Sequence, residues 1–210
     1  MRTKIVYFSD THGLHRQVSI PESDILIHAG DLTSLDKGLN SIREFDEWLG
    51  ELPHSHKIVV PGNHDFAFEE HPFPQSLLQN ATVLINQEII ILGLKIWGSP
   101  VTPLYGGAFG LSSAADRRKL YANVPAGLDV LVTHGPPYGI LDYAPNGIHL
   151  GCRELLKTVE RANPRVHIFG HIHGAHSVCT GPPTTFVNAA LVGVNDLVTH
   201  APIVVEINRD

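Results

Sequence analysis

Five short stretches of this chain each set a carboxylate, an amide or an imidazole directly after an apolar run. They are Asp10 and His12; Asp31; Asn63 with His64 and Asp65; His134; and His171 with His173. The densest is Val60-Pro61-Gly62-Asn63-His64-Asp65, where the run Lys57-Ile58-Val59-Val60 stops at Pro-Gly. An amide oxygen, a titratable ring and a carboxylate then follow in succession. Any one stretch is also an ordinary turn, since Gly, Asn and Asp favour turns and Asp caps helices. Together they are a set of nitrogen and oxygen donors without a thiolate, which suits Mn, Fe or Zn and disfavours a structural cysteine-type zinc site. Asp10, His12, Asp31, Asn63, His64, His134, His171 and His173 are too many for one ion. They suit two divalent ions sharing a bridge, about 3.5–4 Å apart. Without a cation, such a buried cluster would carry unpaired charge at a cost of several kcal/mol. Two divalent ions against the carboxylates of Asp10 and Asp31 leave a positive centre, which attracts a phosphate ester even in a chain of net charge −6.

The elements that must position these groups follow from hydrophobic periodicity. Residues 4–9, 24–27, 57–60, 128–133 and 165–169 read as strands, the first suited to cover on both faces, and each ends at one of the polar clusters. An extended backbone carries residues two apart to one side, so Asp10 and His12 are expected to converge, as are His171 and His173. Leu39, Ile42, Phe45, Trp48 and Leu49 share one face of a helix over 37–50 that Gly50 terminates. Residues 112–123 and 152–162 read as two more helices, the second with Leu155, Leu156 and Val159 apolar. Residues 82–85, 88–92 and 94–98 are three closely spaced strands, expected as an antiparallel meander. Strands around 176–179, 184–188 and 202–207 carry no further cluster. Polar residues on loops beyond strand ends are how α/β proteins place a site. The Gly/Pro-rich loops 99–110 and 136–150 are placed to set specificity. Phe66, Tyr105, Phe109, Tyr138 and Tyr143 are available either to stack a nucleobase or, the better reading, to pack.

The 210 residues, 43% hydrophobic and 17% charged, fit a folded domain with a sizeable core. No repeat, linker or low-complexity tract interrupts 1–210, so one domain is expected. The acidic balance argues against general affinity for nucleic acid or anionic membrane. No run approaches the roughly 18 apolar residues of a membrane helix, and residues 1–10 read as a core strand rather than a signal peptide. Two cysteines, Cys152 and Cys179, give no disulfide framework, so a reduced, cytoplasmic setting is expected. Of 14 histidines, those at 15, 28, 54, 56, 71, 149, 167, 176 and 200 read as core or surface residues, with His28 the nearest to the site.

Asp10-x-His12, Gly30-Asp31, Gly62-Asn63-His64-Asp65, His134-Gly135 and Gly170-His171-x-His173 resemble the ordered motifs of the calcineurin-like metallophosphoesterase superfamily. Ser9-Asp10-Thr11-His12, Gly30-Asp31-Leu32-Thr33, Trp48-Leu49, Thr133-His134-Gly135-Pro136-Pro137 and Gly151-Cys152 are similar to its short, brain-type phosphodiesterase branch, over roughly residues 4–207. The resemblance implies an α/β (α+β) fold, a four-layer αββα sandwich of two mixed β-sheets flanked by helices. It places Asp10, His12, Asp31 and His173 on one metal, with Asp31 bridging, and Asn63, His134 and His171 on the other, Mn being the favoured ion. It makes His64 a non-ligand imidazole which, with Asn63, binds the substrate phosphate. Asp31 and His64 are then the catalytic pair in the hydrolysis of cyclic nucleotides or other small phosphodiesters by a hydroxide held between the ions. A homo-oligomer is compatible with this.

Two departures are informative. Some mammalian relatives lack the first histidine of the last motif, whereas His171 is present here. The phosphoprotein-phosphatase branch carries an aspartate where this chain has Ser34, which argues against an aspartate-supported His64 and against protein phosphatase activity. A non-catalytic scaffold on the same fold and a phosphomonoesterase are the competing readings.

Overall fold

The computed structural model describes residues 2–35, 38–103, 106–144 and 147–208. Eleven strands form two sheets, and the apolar alternation along them explains why there are two. In β1 (Arg2–Phe8), Ile5 and Tyr7 face one way and Val6 and Phe8 the other. In β2 (Ile25–His28), Ile25 and Ile27 oppose Leu26; in β3 (His56–Val59) and the residue after it, Ile58 and Val60 oppose Val59. A strand apolar on both faces must be covered twice. The first set of side chains meets Ile96, Val130, Val132, Ile168 and Val187 from the second sheet in a core between the sheets. The second set packs under α1 (Leu39–Glu51) and α2 (Phe66–Glu70), through Ile42, Phe45, Trp48, Leu49 and Phe68.

The first sheet runs β11–β1–β2–β3–β4, with β4 Thr82–Val83 and β11 Ile203–Asn208; β11 is antiparallel to β1 and the other pairs are parallel. The second runs β5–β6–β7–β8–β10–β9, from Gln87–Ile91, Leu94–Ser99, Val130–Thr133, Val166–Phe169, Thr185–Asn188 and Ser177–Cys179 respectively. Its outer pairs β5/β6 and β9/β10 are antiparallel and its centre is parallel. Trp97 and Leu131 turn outward onto α3 (Ala114–Tyr121) and α4 (Arg153–Ala162), where Tyr121, Leu155 and Val159 bury them. The layers are therefore αββα, as the sequence implied.

Three expectations need correction. The stretch 82–98 is not a meander: β4 pairs parallel to β3, and only β5 and β6 form a hairpin. The chain passes from one sheet to the other between Val83 and Gln87, with Asn86 at φ +55° in the connection. Leu92 and Gly93, both at positive φ, make the tight turn of the hairpin that does form. Leu39 is 48% exposed and off the buried stripe of α1, because the helix begins there and its first turn projects beyond the sheet. Gly50 lies inside α1, which continues to Glu51 and is capped by Leu52. Cys152 and Cys179 are both free. No described helix is long and apolar enough to cross a membrane.

Candidate metal centre

The carboxyl ends of β1, β2, β3, β7 and β8 converge on one cleft, and each delivers its polar cluster there. The local backbone differs from the expected extended course. Asp10, His12, Asp31 and His171 have φ of +53°, +44°, +57° and +68°. After β1, β2 and β8 the chain thus steps through the left-handed region, at an energetic cost that non-glycine residues incur mainly at functional sites. Asp10 and His12 do converge, through left-handed turns rather than strand alternation, whereas His171 and His173 part to different sides of the cleft. Glycine is obligatory at Gly62, where a Cβ would collide with the Asp31 carboxylate, and at Gly170, where it would collide with Ser9 and Asp10.

Three overlapping triads result: Asp10, His12 and His173; Asp31, His134 and His171; and His12, Asp31 and His64. Asp31 Oδ2 lies 3.3 Å from His134 Nε2, 3.8 Å from His12 Nε2 and 3.9 Å from His64 Nε2, so it belongs to both sides of the cleft. His173 Nε2 is 3.5 Å from Asp10 Oδ1 and 3.2 Å from His12 Nε2. Asn63 presents Oδ1 to His134 Nε2 at 2.8 Å and to His171 Nδ1 at 2.9 Å. All seven expected ligands and His64 therefore meet in one place. Asp10 and His134 are fully buried and Asp31 and Asn63 nearly so, while His12, His64, His171 and His173 reach the cleft surface.

The hydrogen bonds behind the cluster test whether these residues fit a cation. His134 Nδ1 lies 3.0 Å from the Ala29 carbonyl and His12 Nδ1 3.2 Å from that of Thr33. A carbonyl only accepts, so both rings carry their proton on Nδ1 and turn the Nε2 lone pair inward, the arrangement of a metal-ligating histidine. The lone pair of His134 then faces the oxygens of Asn63 and Asp31, acceptor against acceptor, which only a positive charge between them makes favourable. A proton is one solution. Burial works to lower the His134 pKa, but the Asp31 carboxylate beside it drives it up to about 9. Burial likewise works to raise both carboxyls. The hydrogen bond from His173 and the surrounding imidazoles nevertheless hold Asp10 well below the ordinary range, and His134 holds Asp31 at about 2. A pair of divalent ions is the other solution and matches the number and type of donors.

The sequence reading left out the ties that hold these loops. Asp65 is fully buried and accepts from the N–H groups of Gly62 at 2.7 Å, Asp31 at 3.0 Å, Leu32 at 3.3 Å and Thr33 at 3.0 Å, and from the Thr33 hydroxyl at 2.9 Å. Burial, and then Asp31, push its carboxyl up to about 7, although every partner is a donor and favours the carboxylate. Its signal was present as the last residue of Gly-Asn-His-Asp. His28 accepts from Gly30 N–H on Nδ1 at 3.2 Å and so donates from Nε2 to Thr11 Oγ1 at 3.0 Å. Ser9 donates to Asp10 Oδ2 at 2.5 Å. The hydroxyl of Ser34 goes to the His12 carbonyl, and His64 Nδ1 is buried with no partner among the described residues, so no aspartate supports His64. Burial pushes its pKa down.

The cleft mouth, about 350 Å³, is lined by Leu14, Ser34, Leu35, His64, His173 and Asp196 together with His12. Residues 108 and 109 lie against its β3 side: Ala108 N–H donates to the Asn63 carbonyl at 2.8 Å and Phe109 N–H to Glu69 at 2.7 Å. Phe109 packs against the α1 core, Phe66 opens α2, and Tyr105 lies outside the described residues. Tyr138 packs beneath the Arg153 guanidinium, and Tyr143 is 58% exposed. His15, His54 and His167 are buried away from the cluster.

A family model described as calcineurin-like phosphoesterase matches residues 3–175. Metallophosphoesterase domain-containing protein 1 of Homo sapiens is 40% identical over 98% of this chain and 71% of its own length. Among solved structures, TT1561 of Thermus thermophilus superposes with a TM-score of 0.61 at 13% identity, covering 92% of this chain and 90% of that one. GAP50, the anchor in the inner membrane complex of Plasmodium, gives 0.54 at 12% identity, over 98% and 81%.

Proposed function

Because the chain belongs to the calcineurin-like phosphoesterase family, we propose that it is a phosphodiesterase using two divalent ions, manganese by preference, on cyclic nucleotides or other small phosphodiesters. The observation that carries this reading is the acceptor-against-acceptor cluster around Asp31, with a second, non-carboxylate-supported imidazole at its mouth. Asp10, His12, His173 and Asp31 would hold one ion and Asp31, Asn63, His134 and His171 the other. When bound, the ions supply Lewis acidity toward phosphoryl oxygen and water.

The remaining work falls to the chain. Asp31 stands between the triads, and the His64 N–H to its Oδ1, at 2.9 Å, keeps its other oxygen turned to the cluster. His64 Nε2, beside that oxygen and at the cleft surface, is placed to donate to a phosphoryl oxygen, and His64 or a water supplies the proton to the departing ester oxygen. The Asn63 amide N–H₂ is left for a second phosphoryl oxygen, its Oδ1 being engaged. Leu14 and Leu35 give the mouth an apolar wall.

Manganese-loaded protein is expected to hydrolyse bis(p-nitrophenyl) phosphate faster than p-nitrophenyl phosphate, and chelation should abolish both activities. His64→Ala should retain its metal content while turnover drops about 10²–10⁴-fold. A His64→Ala protein with full turnover removes His64 from this mechanism, and one that loses an ion makes it a ligand. The scaffold reading, which the fold shared with the Plasmodium anchor protein raises, requires no hydrolysis at any pH.

A further inference from the structure

The loop after β7 contains a second built site. Asp142 is 1% exposed, and its carboxylate accepts from Gly139 N–H at 2.8 Å, Gly151 N–H at 2.9 Å and His149 Nδ1 at 2.7 Å. Backbone bonds from Leu150 to Asp142, at 3.1 Å, and from Ala144 to Ile148, at 2.9 Å, pin the same segment. The Asp142 carboxylate only accepts, so it keeps a proton on His149 Nδ1, and in its neutral form such a ring offers Nε2 as an acceptor. No described residue bonds that nitrogen. The ring stands between Tyr138 and Tyr143, at centroid distances of 5.4 and 5.2 Å.

His149 and Tyr143 form one wall of a pocket of about 520 Å³, whose other wall is 174–177, the segment directly following His173. A single buried side chain ties the two walls. Asn188 donates to the Leu141 carbonyl at 3.2 Å and to the Ile172 carbonyl at 3.1 Å, and Ile172 lies between His171 and His173. The pocket is therefore fixed to the segment that carries His171 and His173, and its volume suits a small-molecule group. An exposed tyrosine face beside an oriented, unused acceptor matches a flat ring carrying an N–H donor.

We propose that this pocket is the subsite for such a ring on the substrate, a nucleobase or a chemically similar group. Tyr143 and His149 select it and Asp142 positions His149. The proposal rests on the phosphodiesterase reading and names its specificity determinants. A purely structural Asp142–His149 pair would leave relative rates on different substrates unchanged.

The test uses three phosphodiesters with one leaving group, the p-nitrophenyl esters of ethyl, phenyl and thymidine 5′-phosphate. The full chain should favour the thymidine ester over the ethyl ester roughly tenfold in kcat/KM, chiefly through KM, as expected for one stacked base. Tyr143→Ala and His149→Ala should bring that ratio near one, Tyr143→Phe should keep it, and Asp142→Asn should fall between. Both primary variants alter exposed side chains, so they test the site even if Asp142→Asn unfolds the loop. Thymidine 5′-phosphate should raise the thermal midpoint of the wild-type chain and not of Tyr143→Ala. Equal kcat/KM for the ethyl and thymidine esters, or a ratio that survives both alanine variants, overturns the subsite while leaving the phosphodiesterase reading intact. A midpoint shift lost in Tyr143→Ala, in a protein that cleaves none of the esters, upholds the subsite and removes the phosphodiesterase. Neither shift nor hydrolysis removes both.

Discussion

On the first sheet, the loops after β1, β2 and β3 are tied to one another. Asp65 gathers four N–H groups from 31–33 and 62, His28 links Thr11 to Gly30, and His64 N–H holds Asp31. On the second sheet, the loops after β7 and β8 reach across the cleft for their anchors. His134 is oriented by the Ala29 carbonyl, and the His171 N–H rests on the Asp10 carboxylate at 3.0 Å. The first bank is held chiefly by ties among its own loops, with Ser9 also bonded to Ala189 and Leu191 behind β10, and the second takes the anchors of His134 and His171 from the first. The difference follows from chemistry, because the first bank supplies both carboxylates of the cluster and must satisfy them in a dry setting, where an unpaired charge is expensive. The second bank supplies only imidazoles, which need one partner each to fix their tautomer.

The sharpest way to break this contrast is at Asp65. Removing its carboxylate in Asp65→Ala strands four buried N–H groups, and the expected loss is about 3–5 kcal/mol of unfolding free energy, read from the urea midpoint. Because the second bank depends on the first, occupancy should fall at both metal positions. Asn188→Ala, on the second bank, strands the Leu141 carbonyl and the Ala190 N–H, while the Ile172 carbonyl keeps the Ala175 N–H, and should cost about 1–3 kcal/mol with the first-bank ligands still in place. An Asp65→Ala protein as stable as wild type, or Asn188→Ala costing more than Asp65→Ala, would erase the asymmetry.

How much of this was legible in the sequence depends on which interaction carried the signal. The strands and helices were readable because apolar alternation is local, whereas the layer order came from the family resemblance. The eight cleft residues were readable because each follows its strand directly. Three features escaped for physical reasons. The passage of the chain between sheets after β4 depends on which partner Thr82 and Val83 find, a tertiary choice that a two-residue strand does not encode. The left-handed steps at Asp10, His12, Asp31 and His171 belong to residues that no glycine marks. Asp65 and His149 carry no local sign that their partners are the backbone of 31–33 and a buried Asp142.

Two buried histidines, one per bank, give the smallest effects at neutral pH and a larger one in acid. Burial pushes both His28 and His167 down to about 3, whereas the unfolded chain titrates them near 6.5. Below pH 6.5 the unfolded state binds protons that the fold refuses. Stability is therefore full above that pH and declines toward pH 3 by about 1.4 kcal/mol per pH unit for each ring. Replacing either ring with leucine should flatten the acid limb by one proton, measured as unfolding free energy against pH. At neutral pH the two should part. His28→Leu strands the Gly30 N–H and should cost about 1–3 kcal/mol. In His167→Leu the Thr133 hydroxyl keeps its bond to the Gly135 carbonyl, and the ring nitrogen left without a partner in the wild type is removed. That change should stay within about 1 kcal/mol of wild type. Equal losses at neutral pH would mean that the second bank is tied as tightly as the first.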